Sequence, residues 1–153
     1  MSNSKTILVV EDEHAIRDIM MWALQNQDYD VLVAENAEEA MPLVEKADLV
    51  LLNLKLPGMS GERFIEKVRA EGNFTPMIVV TATPMDAKIE DRLVELKIVD
   101  WVAKPFSTKD LLARIQRALE ISGVMEGINH LTERLKSFVV RQEASRHRAA
   151  GMI

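Results

Sequence analysis

The sequence lacks cysteine altogether, and this absence excludes disulfides, thiol catalysis and cysteine-bound zinc. No apolar run approaches the roughly 18 residues that a membrane-spanning helix needs. The amino terminus shows no signal-peptide pattern, because its first apolar run, residues 5–10, is followed at once by three acidic residues. We therefore expect a soluble, cytoplasmic protein that does not interact with membranes.

Basic residues are scarce in the first four-fifths of the chain. Residues 1–123 contain 21 Asp or Glu against 14 Lys or Arg, a balance of −7, whereas residues 124–153 contain three Glu against five Lys or Arg, a balance of +2. These two values sum to the net charge of −5. Because an acidic surface repels the phosphate backbone of nucleic acids, we expect no direct binding to DNA or RNA.

Short apolar runs alternate with stretches of helical periodicity. The runs predict strands at residues 5–10, 29–34, 48–53, 76–80 and 99–102, and the periodic stretches predict helices at 15–27, 36–44, 61–70, 85–96 and 108–120. Such alternation is typical of a doubly wound α/β fold with a parallel sheet and helices on both faces. Composition alone does not fix the order of the strands.

Polar residues stand where four of these strands end, namely Glu11, Asp12, Asn53, Thr81 and Lys104. The carboxyl ends of parallel strands meet at one edge of the sheet, where open α/β folds bind ligands. Adjacent carboxylates and a carboxamide suit a small divalent cation, and a hydroxyl and an ammonium suit phosphoryl oxygens. Each residue alone has an ordinary explanation, such as an acidic helix start or a loop lysine. Together they predict a site for phosphoryl chemistry.

Over about residues 5–121, this pattern resembles the receiver domain of two-component response regulators, the CheY-like family. In that family an acidic pair after the first strand binds magnesium, and an Asp at the end of the third strand accepts phosphate from a histidine kinase. A Thr or Ser follows the fourth strand and Lys-Pro follows the fifth. The positions that match here are Glu11, Asp12, Asn53, Thr81, Lys104 and Pro105, with Pro57, Gly58, Gly61 and the aromatic Trp101 in agreement.

The resemblance implies a flavodoxin-like, five-stranded sheet in a receiver domain at residues 1–121. It implies a Mg²⁺ site formed by Glu11, Asp12, Asn53 and the backbone carbonyl of Lys55. It further implies a sensor histidine kinase or phosphotransfer protein as one partner, a downstream protein target as another, and no enzymatic activity of its own.

The resemblance also implies that the Thr81 hydroxyl and the Lys104 ammonium hold the phosphoryl group. Thr81 and Trp101 would then form the switch that responds to phosphorylation. An equally good interpretation of Trp101 is that its bulky indole is a fixed packing or partner-facing side chain.

Asn53 departs from the family at the acceptor position. Its amide nitrogen lone pair is delocalised and its oxygen carries no ionisable charge, so it cannot form an acyl phosphate. We expect Mg²⁺ to bind more weakly than it would to an Asp. In one explanation, Asn replaces Asp and holds an ordinary receiver in its unphosphorylated, inactive state. In the other, the domain is a natural pseudo-receiver that binds partners without phosphorylation. Retention of the other site residues favours the first.

A flavin-binding protein or a small hydrolytic enzyme on the same topology is the rival function, since fold does not fix function. The sequence has no Gly-rich phosphate loop and no Gly-x-Ser-x-Gly motif, and aromatic residues make up only 5% of the chain. These absences count against both rivals.

Residues 122–153 form an extension beyond the receiver pattern. Six apolar residues recur at alternating spacings of three and four, which is a heptad pattern: Ile121, Val124, Ile128, Leu131, Leu135 and Phe138. We predict a sixth helix at about 124–146, hinged at Gly123, and a homodimer formed as a coiled coil through residues 121–146. The same stripe is also compatible with a helix that folds back on its own domain, or with a linker to a further domain.

Overall fold

The computed structural model describes residues 4–151, with side chains from 4 to 146. Strands and helices alternate along the chain. They are β1 (Thr6–Val10), α1 (His14–Gln25), β2 (Asp30–Ala34), α2 (Ala37–Ala40), β3 (Leu49–Leu52), α3 (Gly61–Ala70), β4 (Met77–Thr81), α4 (Ala87–Glu95), β5 (Asp100–Ala103) and α5 (Thr108–Gly151), with a 3₁₀ helix at Met41–Lys46.

The five strands form one parallel sheet in the order β2-β1-β3-β4-β5. This confirms the predicted doubly wound, flavodoxin-like fold. The register places Val10 beside Leu52 and Thr81 beside Ala103. The residues that directly follow β1, β3 and β5 therefore emerge at the same edge of the sheet.

Two apolar layers cover the sheet because successive strand residues point to opposite faces. On one face, Leu8 and Val10 belong to a layer with Phe64 of α3 and Leu93 of α4. On the other face, alternate strand residues pack with side chains of α1 and α5, among them Met20, Leu24, Leu111 and Ile115. Strand β3 is buried along its whole length, as its uninterrupted apolar sequence predicts.

Several helices begin after a short polar residue whose side chain accepts a hydrogen bond from a backbone N–H of the first turn. Asn36 Oδ1 accepts from Glu39 N at 2.8 Å and so caps α2. Helix α2 is only four residues long, and a 3₁₀ helix follows it from Met41, with Pro42 near its start. A short helix is the arrangement that tolerates a proline at this position.

Helix α5 differs from the prediction, because it continues to Gly151 as a single element. The expected separate helix from residue 124 and the hinge at Gly123 are therefore wrong. Glycine in a helix costs only about 1 kcal/mol relative to alanine, which the neighbouring helix-forming residues offset. The chain divides into two units, Met1–Leu119 and Glu120–Ile153. Among the described residues, no helix has the combined length and apolarity required to cross a bilayer.

Candidate functional site

A buried ion pair joins the ends of β1 and β5. The Lys104 ammonium lies 3.0 Å from Glu11 Oε1 and 2.9 Å from Oε2. The Glu11 side chain is 1% exposed and that of Lys104 is 7% exposed. Lys104 is fixed at the sheet edge because its backbone N–H donates to the Thr81 carbonyl at 3.0 Å. Of the two adjacent acids, Lys104 therefore pairs with Glu11.

Asn53 lies against the same carboxylate. Its backbone N–H donates to the Val10 carbonyl at 3.1 Å, which extends the β1–β3 pairing by one residue. Its side-chain Nδ2 lies 3.4 Å from Glu11 Oε1 and 3.3 Å from Asp12 Oδ1. Its Oδ1 accepts from the Lys55 backbone N–H at 3.3 Å. Because carboxylates only accept hydrogen bonds, the amide must turn its nitrogen toward the two acids.

The charged groups of this cluster sum to one net negative charge. Lys104 neutralises Glu11, the Asn53 amide adds no charge, and Asp12 leaves one negative charge. An Asp at position 53 would add a second negative charge within 3.4 Å of Glu11. The cluster therefore does not require a cation to hold its two acids together.

The predicted switch residues lie on β4 and β5. The buried Thr81 hydroxyl interacts with the neighbouring Thr83, whose hydroxyl and backbone N–H each lie 3.2 Å from it. Trp101 is half-buried and packs against the apolar layer that includes Phe64 and Leu93. The structure therefore brings Thr81 to the site and places the Trp101 ring against the core. Its proposed switching role stays a prediction.

An open cleft of about 740 Å³ lies at this edge of the sheet. Its walls include all but two of the predicted site residues, and the complete lining consists of Asp12, Glu13, Asn53, Lys55, Leu56, Pro57, Thr81, Ala82, Thr83, Pro84 and Lys104. Glu11 reaches the site through its contacts with Lys104 and Asn53. The cleft is large enough for a small ion and a phosphoryl group.

The predicted Mg²⁺ ligands fit such an ion chemically. Within residues 4–146, no cluster of three or more Asp, Glu, His or Cys could hold a metal, so the acidic pair would need neutral oxygens. Asn53 Oδ1 and the Lys55 carbonyl are the neutral oxygens that the sequence predicts, and Mg²⁺ prefers oxygen ligands. Binding through Asn53 Oδ1 would require the amide to give up its hydrogen bonds to Glu11 and Asp12. Weak affinity is therefore expected.

Arg17 is a site residue that the sequence analysis missed. Its buried side chain donates from Nη1 to the Glu11 carbonyl at 3.0 Å and from Nη2 to His14 Nδ1 at 2.9 Å. A further contact joins it to Glu35 at 3.4 Å. Arg17 thereby fixes the backbone that carries the acidic pair. The available signal was an arginine three residues before Met20, on the apolar face of α1.

Gly61 also supports the site. A Cβ at this position would lie 2.5 Å from the Asn53 carbonyl oxygen and 2.7 Å from Leu54 Cα. Its backbone N–H donates to the Leu54 carbonyl at 2.8 Å. The start of α3 can therefore pack directly on the loop after β3 only because residue 61 has no side chain.

Comparisons with known proteins agree with this geometry. A family model described as the response regulator receiver domain matches residues 7–116. A CheY-like receiver domain protein from Methanospirillum hungatei JF-1 is 27% identical with a TM-score of 0.75, and the match covers 80% of this chain and 99% of that one. The chemotaxis protein CheY4 of Vibrio cholerae is 27% identical with a TM-score of 0.70, over 75% of this chain and 98% of that one.

A third solved structure is similar along nearly the whole chain. It is a fusion that contains residues 181–211 of the trimeric coiled coil of yeast Spc42. Its identity is 21% and its TM-score is 0.77, and the match covers 96% of this chain and 97% of that one. At this identity the likeness concerns the fold alone.

Proposed function

This chain belongs to the response regulator receiver domain family, and from that premise we propose that it acts in a two-component phosphorelay with position 53 as the phosphoryl acceptor. The observation that carries this proposal is the convergence of Asp12, Asn53, Thr81 and Lys104 on one cleft. An Asp at position 53 would accept the phosphoryl group from a histidine kinase. With Asn53 the chain is not phosphorylated and mimics the inactive state.

The contacts around Asn53 support the inactive-state proposal. Both ends of the amide have hydrogen-bond partners, and the Lys104 ammonium is paired with Glu11. A phosphoryl group on residue 53 would compete for Lys104, because an ammonium pairs strongly with phosphate oxygens. Without that group, nothing in the cleft draws Lys104 away from Glu11.

Receiver domains generally bind Mg²⁺ at the phosphorylation site. We propose that Glu11, Asp12, Asn53 and the Lys55 carbonyl hold it here, with lower affinity than an Asp at position 53 would allow. The bound ion would supply positive charge to the phosphoryl oxygens. The residues of the chain would orient that group through the Thr81 hydroxyl and the Lys104 ammonium.

The proposed partners are a sensor histidine kinase or phosphotransfer protein and a downstream protein target in the cytoplasm. The protein acts by binding, without enzymatic activity and without direct contact to nucleic acid. We also propose a homodimer through residues 121–146, formed as a coiled coil. The exposed apolar residues of this part of α5 support that proposal.

A phosphorylation-independent pseudo-receiver is the second candidate function. The observation in its favour is that the Asn53 amide satisfies Glu11 and Asp12 without a cation. Such a domain would present one fixed surface to its partners. Trp101, packed against the core, would then serve as a structural residue.

Intact-mass measurement separates the two candidates. The chain and its Asn53→Asp variant are incubated side by side with an acyl phosphate donor and Mg²⁺, and an Asn53→Ala variant serves as the control. Phosphoryl addition to Asn53→Asp alone supports the phosphorelay. If no variant is modified, the pseudo-receiver is the better description. Modification of the unaltered chain would show that position 53 is not the acceptor.

A further inference from the structure

The carboxyl-terminal part of α5 exposes an apolar stripe that we call the α5 seam. Its six side chains are 48% to 64% exposed, and they are Ile121, Val124, Ile128, Leu131, Leu135 and Phe138. Every described residue from Gly123 to Arg146 is exposed. Isolated helices are marginal in water, and a stripe at heptad spacing is suited to pairing with another helix. The α5 seam therefore needs a partner surface.

This inference rests on the self-association proposed above and specifies its geometry. We infer that α5 pairs with α5 of a second copy in antiparallel orientation, so that Ile121 of one copy faces Phe138 of the other. The next two layers join Val124 with Leu135 and Ile128 with Leu131. All six seam residues then meet an apolar residue of the second copy.

The seam is symmetric in length about a point between Asn129 and His130. Two antiparallel copies that match seam to seam therefore share this midpoint. A two-fold axis through this midpoint relates the copies, as in most homodimers.

Charges beside the seam select the antiparallel orientation. One flanking position recurs every seven residues and is occupied by Glu120, Gly127, Arg134 and Arg141. The first three directly precede seam residues, and Arg141 lies beyond the end of the seam. In antiparallel helices this position lies opposite its equivalent on the other copy. Glu120 then meets Arg141 twice by symmetry, and Arg134 meets Gly127, which carries no charge. The flanks are therefore complementary.

A parallel pair would lack this complementarity. Each flanking residue would instead lie opposite the residue five positions further along the second copy. Glu120 would face Met125, Arg134 would face Val139, and Arg141 would face Arg146, a pair of like charges. Parallel pairing would also bring together the two acidic portions of the chains, each with a balance of −7 over residues 1–123.

The absence of cysteine from the sequence allows a direct test of orientation. Val124→Cys and Leu135→Cys variants of the full chain are oxidised separately and as an equal mixture. In the antiparallel pair the two copies of Val124 lie about 16 Å apart along the axis, at 1.5 Å per residue. A disulfide requires Cα atoms within about 7 Å. Glu133→Cys, which lies off the seam, is the control.

In the mixture we expect a disulfide-linked dimer that joins a Val124→Cys chain to a Leu135→Cys chain. Either variant alone should give little covalent dimer. Efficient cross-linking of each variant to itself would overturn the antiparallel orientation and leave the self-association in place. A monomer mass for the unaltered chain by light scattering would overturn both the antiparallel orientation and the self-association. A helix that folds back on its own domain would give that monomer mass. A mass of three or more copies would also overturn the pair.

Charge reversal gives an independent readout. Arg141→Glu should weaken dimerisation several-fold, and Glu120→Arg in the same chain should restore it. In a parallel pair Arg141→Glu would remove a like-charge contact and strengthen dimerisation, which contradicts the inference. None of these measurements depends on residue 53, so the phosphorylation experiment tests the receiver function separately.

Discussion

The Lys104 ammonium contacts both oxygens of Glu11, at 3.0 Å and 2.9 Å, although the two residues lie at opposite ends of the receiver sequence. Each charge is almost completely removed from water, so each depends on the other. Asn53 shares the same carboxylate through its amide nitrogen at 3.4 Å. This ion pair is therefore the centre of the site and a structural link between β1 and β5.

Replacing Lys104 with Met should destabilise the protein by about 3–5 kcal/mol, because Glu11 would remain buried without its counter-ion. Urea denaturation of the full chain measures the loss. The double variant Glu11→Gln, Lys104→Met removes both charges and should recover much of the stability. If the single and double variants were equally unstable, loss of packing would explain the effect better than charge.

Asn53→Asp should lower stability in the presence of a chelator, by on the order of 1–3 kcal/mol, because it places a third carboxylate beside Glu11 and Asp12. Added Mg²⁺ should reverse the loss, since the ion binds the folded state preferentially. Thermal unfolding with and without Mg²⁺ measures both effects. Asn53→Ala, which adds no charge, should show little dependence on Mg²⁺. An equal response of the two variants would contradict the proposed metal site.

Gly61→Ala and Gly123→Ala should have opposite effects. The new methyl group at position 61 would lie 2.5 Å from the Asn53 carbonyl oxygen, whereas a Cβ at position 123 would enter open space beside the backbone of its own helix. We expect Gly61→Ala to destabilise by about 1–3 kcal/mol through overpacking. Gly123→Ala should stabilise α5 by about 1 kcal/mol. Helical content by circular dichroism and urea midpoints compare the two variants, and a loss of helix in Gly123→Ala would argue against a continuous α5.

Glu66 should contribute to the acid sensitivity of the fold. The Arg92 guanidinium, which donates to it at 2.9 Å, and then Arg63 lower the pKa of Glu66 below its ordinary value of 4.5. A lowered pKa in the folded state means that this stabilisation is complete above pH 4.5 and is lost as the pH falls through the folded-state pKa.

The measurement for Glu66 is the free energy of unfolding as a function of pH from neutral to acidic. Both Glu66→Gln and Arg92→Gln should flatten the acidic part of the profile, and the double variant should flatten it no further. Lys67→Gln, an exposed change on the same helix, is the control. A profile unchanged by Glu66→Gln would contradict the prediction.

Local patterns in the sequence were sufficient to predict the strands and most of the helices, whereas the strand order followed from the family resemblance. Strand β3 was predictable because an uninterrupted apolar run between turn residues fits a strand covered on both faces. Asn36 was predictable as a helix cap because its side chain reaches only its own first turn. The end of a helix is less well determined, and for this reason Gly123 was mistaken for a hinge within α5.

The residues of the site were also predictable as a set, since parallel strands deliver their carboxyl ends to one edge. Their pairing was not. The choice of Glu11 over Asp12 by Lys104, and the direction of the Asn53 amide, depend on contacts between strands far apart in sequence. Arg17 was missed for a different reason, because its partner Glu11 is close in sequence but accepts through its backbone carbonyl.

The sequence by itself therefore determined which elements form, which residues reach the sheet edge and where the apolar seam of α5 lies. Periodicity and short-range hydrogen bonding act within a few residues, so the chain records them directly. Only the tertiary structure decided which charges are buried together and which hydrogen bonds hold Asn53. Those outcomes depend on desolvation and distance between segments that meet only when the sheet has formed.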